Sequence, residues 1–62
     1  MKIKLEIWKS SGKWYTNETL EVENLEGITN LLIDMKKYQG MFCTTYIIED
    51  DNHLQPYRMY RL

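Results

Sequence analysis

The stretch Glu49-Asp50-Asp51-Asn52-His53 gathers acids, an amide and an imidazole in consecutive positions. A hard cation needs several oxygens converging on one point. Neighbouring residues of a tight turn point in different directions, and the glycine and distal glutamate of a calcium loop are missing. Asp and Asn are also preferred turn residues, because they tolerate positive φ. The stretch reads as a turn between two strands, with no metal and no cofactor. His53, the chain's single histidine, then sits in exposed loop, where nothing excludes water, and reads as a solvated bystander rather than a general base. Cys43, the single cysteine, lies in an apolar run and reads as a packed residue rather than a nucleophile. The sequence KSSGK, residues 9–13, carries lysines, hydroxyls and a glycine, but a phosphate cradle leads into a helix and this segment leads into a strand. With no nucleophile–base pair, phosphate loop or metal cluster, the expectation is a protein that is not an enzyme.

Tyr57-Arg58-Met59-Tyr60-Arg61 suggests other chemistry. On a strand, Tyr57, Met59 and Arg61 share one face, and Arg58 and Tyr60 the other. Aromatics beside cations are how sheets hold single-stranded nucleic acid, and the same residue types anchor protein interfaces. The net charge of −1 disfavours the first use, which rests on clustered cations. The acids Glu18, Glu21, Glu23 and Glu26 crowd the middle of the chain and read as a solvated charge run, with imitation of nucleic-acid phosphates by Glu21, Glu23 and Glu26 as the alternative.

The elements that would carry these residues follow from periodicity. KIKLEIW alternates strictly, with Ile3, Leu5 and Ile7 on one side and Lys2, Lys4, Glu6 and Trp8 on the other. WYTNETLEVE resumes β-favouring residues after a Ser-Gly turn. A tight turn at Ser11-Gly12 predicts Ile3 opposite Leu20, Lys2 opposite Glu21 and Trp8 opposite Tyr15. It also sets Glu18 beside Leu5 on the apolar face, which fits badly. Leu25, Ile28, Leu31, Leu32, Met35 and Tyr38 form one helical stripe. Asn24 is its expected N-cap and Gly40 its C′ residue, and Gly27 weakens the first turn enough to favour a start nearer Ile28. MFCTTYIIE and LQPYRMYRL predict two further strands, with Pro56 at an edge, a start or a bulge. A turn centred on Asp51-Asn52 pairs Cys43 with Tyr60, Tyr46 with Tyr57 and Ile47 with Pro56.

The expected architecture is α+β, in the order ββαββ: an antiparallel four-stranded sheet with one helix packed on one face, as a single domain over residues 1–62. A chain this small buries only about 60% of its unfolded surface, and one cysteine permits no internal disulfide. Self-association as a homodimer is the expected remedy. A lone helix covers one face of the sheet. The aromatics, two Trp, five Tyr and one Phe, exceed what that side holds. Candidate binding residues are therefore Lys4, Trp8, Tyr15, Tyr57, Arg58 and Arg61, with no catalytic residue among them. The expected partner is a second copy or a host or phage protein, with nucleic acid the weaker alternative. No apolar run approaches the roughly 20 residues that cross a bilayer, and MKIKLEIWK does not read as a secretory leader. The expectation is a cytoplasmic protein without membrane attachment.

Overall length, abundant Lys, Ile, Asn and Tyr, and the opening MKIKLEIWKSSGKWYTNETL resemble small accessory proteins of phages and prophages from AT-rich Gram-positive bacteria. In size and strand–helix layout such proteins are similar to some inhibitors of host defence, anti-CRISPR proteins among them. That resemblance implies action by occupying a surface of a larger host protein or by imitating DNA charge. GKWY also resembles the strand turn of arm-binding domains of phage integrases, which place three strands before the helix where this chain predicts two.

Overall fold

A computed structural model describes residues 1–62. Along the chain come β1 (Lys2–Trp8), β2 (Trp14–Glu21), α1 (Glu26–Ile33), a single 3-10 turn (Lys36–Tyr38), β3 (Phe42–Asp50) and β4 (His53–Arg61). The architecture is α+β, one four-stranded sheet with every neighbouring pair antiparallel and a single α-helix. The spatial order is β2-β1-β3-β4, so the two hairpins join through their first strands. No helix is long and apolar enough to cross a membrane.

The alternation of β1 builds the core. Ile3, Leu5 and Ile7 are wholly buried, together with Cys43 on β3, and meet Ile28 and Leu32 of α1 and Tyr38 of the 3-10 turn. Each such aliphatic contributes roughly 1.5–3 kcal/mol on burial. The even-numbered residues of β1 face the other side of the sheet, where no helix lies.

The first hairpin keeps the expected register from Lys2–Glu21 to Ile7–Thr16 and then departs from it. The turn centres on Ser10-Ser11: the Gly12 N–H donates to the Lys9 carbonyl at 2.8 Å, and Gly12 takes φ +90°, which suits a residue without Cβ. That moves the pairing by one residue, so Trp8 lies opposite Trp14, and a bulge at Tyr15 restores the register beyond it. The expected Trp8–Tyr15 pair does not form. Leu5 does lie opposite Glu18, as expected, and the Glu18 carboxylate reaches Lys37 of the 3-10 turn at 3.6 Å.

The helical stripe faces the core as its spacing predicts, with Ile28, Leu32 and Tyr38 buried, but it is not one helix. α1 starts at Glu26, earlier than the glycine suggested, and stops at Ile33. Met35 leaves the helical region with ψ 68°, and Tyr38 reaches the core from the 3-10 turn. The residue before α1 is Leu25 rather than the expected Asn24, but the Asn24 side-chain oxygen still accepts the Gly27 N–H of the first turn at 3.0 Å. Gly40, at φ +86°, follows the 3-10 turn rather than α1, and its N–H donates to the Leu62 carbonyl.

The second hairpin turns at Asp51-Asn52 and pairs Cys43 with Tyr60, both as expected. No non-glycine residue takes positive φ, and the side chain that closes the turn is that of Asp50, just before it. The Asp50 carboxylate accepts the Asn52 N–H at 2.8 Å and meets the His53 imidazole at 2.9 Å. Between turn and strand end the register departs by one: Tyr46 faces Pro56 and Ile47 faces Gln55, not Tyr57 and Pro56. Irregularities at Thr44/Tyr46 and at Ile48/Asp50 open and close this shift. Pro56 lies on the edge strand β4, where its missing N–H interrupts no ladder between neighbours.

Candidate functional site

Directly opposed residues on antiparallel strands share a face. The pairings Trp14–Trp8, Trp8–Phe42 and Phe42–Arg61 therefore align three aromatic side chains and one cation in a single row across all four strands, on the side away from α1. The next rows are Asn17–Glu6–Thr44–Met59 and Thr19–Lys4–Tyr46–Pro56, and Ile48 with Leu54 lies beyond. None of these residues belongs to the buried core. Trp14 is 52% exposed, Met59 64% and Leu54 45%, and Trp8, Phe42, Tyr46 and Ile48 are half-buried. Aromatics at one end of the face, and Ile48 and Leu54 at the other, flank a polar centre of Lys4 and Glu6, and large apolar side chains grouped on open surface often mark an interaction site.

Hydrogen bonds hold the side chains of this face in place. The Trp8 indole N–H donates to the Thr44 hydroxyl at 3.2 Å, and that hydroxyl donates to the Glu6 carbonyl at 3.5 Å. Glu6 is the electrostatic centre: one carboxylate oxygen meets the Lys4 ammonium at 3.4 Å and the other accepts the Tyr46 hydroxyl at 3.4 Å. The inner strand β1 thus carries Lys4 and Glu6 side by side at the middle of the face, with aromatics beside them.

The six candidate binding residues divide. Lys4, Trp8 and Arg61 lie on the uncovered face. Tyr15 does not: the bulge turns it to the other side, where it meets the buried Tyr38 edge to face, with ring centroids 6.2 Å apart, and the Lys9 ammonium lies over its ring. Tyr57 and Arg58 occupy the irregularity in β4, opposite Thr45, where the Arg58 guanidinium lies over the Tyr57 ring. The structure therefore assembles three of the six and adds Trp14, Phe42, Tyr46, Ile48, Leu54 and Met59. Alternation along MFCTTYIIE already places Phe42, Tyr46 and Ile48 on one side. What the sequence withholds is that this is the same side as Trp8, because that depends on β1 pairing with β3.

No protein-family model, no characterised protein and no solved structure matches the chain. Its chemistry must be judged from its own side chains.

The remaining reactive groups lie apart from this face. Burial, and secondarily the Glu18 charge, push the Cys43 thiol up to about 11, so it stays protonated at neutral pH. The Tyr38 phenol is raised by the adjacent Glu18 carboxylate and by burial, and the Lys37 ammonium is raised by Tyr38 and by Glu18. His53 and Asp50 engage each other in the exposed turn, where the Asn52 N–H and then the imidazole hold the Asp50 carboxyl below its usual range.

Proposed function

We propose that the chain is a non-catalytic protein-binding module and that its uncovered sheet face is the binding surface. The observation that carries this reading is the cross-strand row Trp14–Trp8–Phe42, extended by Ile48 and Met59, on a layer that no helix covers. Trp, Tyr, Phe, Met and Arg are the residue types enriched where proteins meet. The Thr44 bond that fixes the Trp8 indole lowers the entropy lost when a partner packs on it.

The alternative, a small nucleic-acid-binding regulator, fits the same face less well. Stacking rings are present, but the centre holds the Glu6 carboxylate, which already engages Lys4. The other cations on this side, Lys2 and Arg61, sit at opposite ends of their strands. Affinity for a phosphate backbone rests on several cations in register.

Within the protein-binding reading, the resemblance in size and layout to small phage proteins supports a phage-encoded inhibitor or regulator working in the cytoplasm of the host cell. Tagged protein, in its original form and as Phe42→Asp, tests the reading in host extract. The expected result is one defined protein retained by the first and lost from the second. The reading fails if the same protein is retained by both. A steeply salt-dependent mobility shift with mixed DNA, abolished by both Lys4→Ala and Trp8→Ala, establishes the alternative instead.

A further inference from the structure

We infer that the occupant of the uncovered face is a second copy of this chain, packed sheet on sheet about a two-fold axis level with Leu5. The inference rests on the protein-binding reading and names the partner.

Both sheet edges are blunted against strand addition. The outer strand β4 carries Pro56 and an irregularity at Tyr57–Arg58. The outer strand β2 carries the Tyr15 bulge and an inward-pointing charge, Glu18. These are devices by which edge strands resist pairing with another chain. The face, built from four strands of seven to nine residues, is thus a surface left open for association.

Charge decides how two such faces meet. A two-fold axis running along the strands over β1 sets Lys4 near Lys4 of the second copy and Glu6 near its Glu6, and one between β1 and β3 leaves both charges facing Tyr46 and Thr44. An axis between the sheets, across the strands and level with Leu5, reverses the order of rows. Each Lys4 then faces the other copy's Glu6, so the Lys4–Glu6 pair of one subunit becomes a four-membered alternating cluster. The same operation lays Phe42 over Ile48 and sets the Trp8 ring against Lys2, a cation–π arrangement. In this orientation β1 and β3 complement themselves, as an isologous interface requires, while on the edge strands Trp14 lies over Glu21 and Arg61 over Leu54. Aligned sheets pack about 10 Å apart, within reach of these side chains. A target protein that uses the same face must compete with the second copy.

Sedimentation of the full chain over a range of concentrations, with circular dichroism confirming the fold of each variant, tests the arrangement. The original protein is expected to sediment as a dimer. Lys4→Glu and Glu6→Lys each place four like charges at the axis and are expected to weaken the dimer by about a hundredfold or more, the scale of like-charge juxtaposition at an interface. An equimolar mixture of the two folded variants is expected to restore a dimer containing one copy of each. A mixture that stays monomeric overturns the proposed axis. An original protein that is monomeric at millimolar concentration overturns the second copy as occupant. The recognition reading then still stands or falls on the Phe42→Asp capture experiment, so the two failures are distinguishable.

Discussion

The Thr45 hydroxyl donates to the Arg58 carbonyl at 2.6 Å and accepts the Arg58 N–H at 3.0 Å. One buried side chain thus satisfies both backbone groups of a residue that the β4 irregularity removes from the regular ladder. Thr45→Val keeps the shape and the β propensity but strands both groups. Leaving a buried polar group unpaired costs roughly 1–3 kcal/mol. We expect Thr45→Val to lose about 2 kcal/mol in urea unfolding, with hydrogen exchange at Arg58 accelerated more than at Cys43. Equal acceleration across the sheet contradicts a local clasp.

The elevated Cys43 thiol makes stability fall with alkali. Its pKa in the folded chain, about 11, exceeds the ordinary 9.0, so the folded state holds its proton longer than the unfolded state. The contribution is complete below pH 9 and is lost as pH rises from 9 towards 11. A shift of this size corresponds to roughly 2–3 kcal/mol. Parallel unfolding curves for the original protein and Cys43→Ala are expected to converge over that window. At pH 8 a thiol reagent is expected to react with Cys43 only after urea is added, whereas rapid reaction of the native protein refutes the burial argument.

Glu18 presents a trade between folding and solubility. One of its carboxylate oxygens, Oε2, is buried without a partner, and its other oxygen meets an exposed Lys37 at 3.6 Å. Glu18→Val removes that desolvation and adds a β-branched side chain beside Leu5. We expect the variant to unfold at higher urea and yet to aggregate faster at high concentration, because the inward charge no longer protects the edge. A gain in both properties removes the case for Glu18 as an edge guard.

Substitutions on the two sides of the sheet should separate folding from binding. Ile28→Ala empties a wholly buried position and is expected to cost about 2–5 kcal/mol. Met59→Ser removes a side chain that is largely exposed, and at low protein concentration is expected to change stability by less than about 0.5 kcal/mol. Its effect should appear in capture or self-association. Comparable destabilisation by both places Met59 in the folding core rather than the interface.

Alternation in β1 already specifies which residues are buried, and the Lys2–Glu21 and Cys43–Tyr60 pairings follow from turn positions alone. The misplacement of Tyr15 has one cause: Gly12 closes the turn from the residue after its centre, and a single extra residue reverses every side chain between turn and bulge. The shift of Tyr46 from Tyr57 to Pro56 depends on Thr45 finding the Arg58 backbone, a contact no local pattern announces. The helical stripe is correct in residues and wrong in extent. The spacing from Met35 to Tyr38 suits a 3-10 turn as well as an α-turn, since both carry residues three apart on one side. The uncovered face is half legible: Trp8 stands out by alternation, while its union with Phe42 and Met59 depends on strand order, which arises from contacts distant in the chain.

The central position of β1 also sets the order of events during synthesis. Its partner β3 lies some forty positions later, beginning at Phe42. A nascent chain can close the first hairpin early, yet the inner flank of Lys2–Trp8 keeps its hydrogen-bonding groups unclaimed until Phe42–Asp50 leave the ribosome. Such long-range closure slows folding relative to helical chains of equal length. The interval before β3 arrives is when this protein is most open to mispairing.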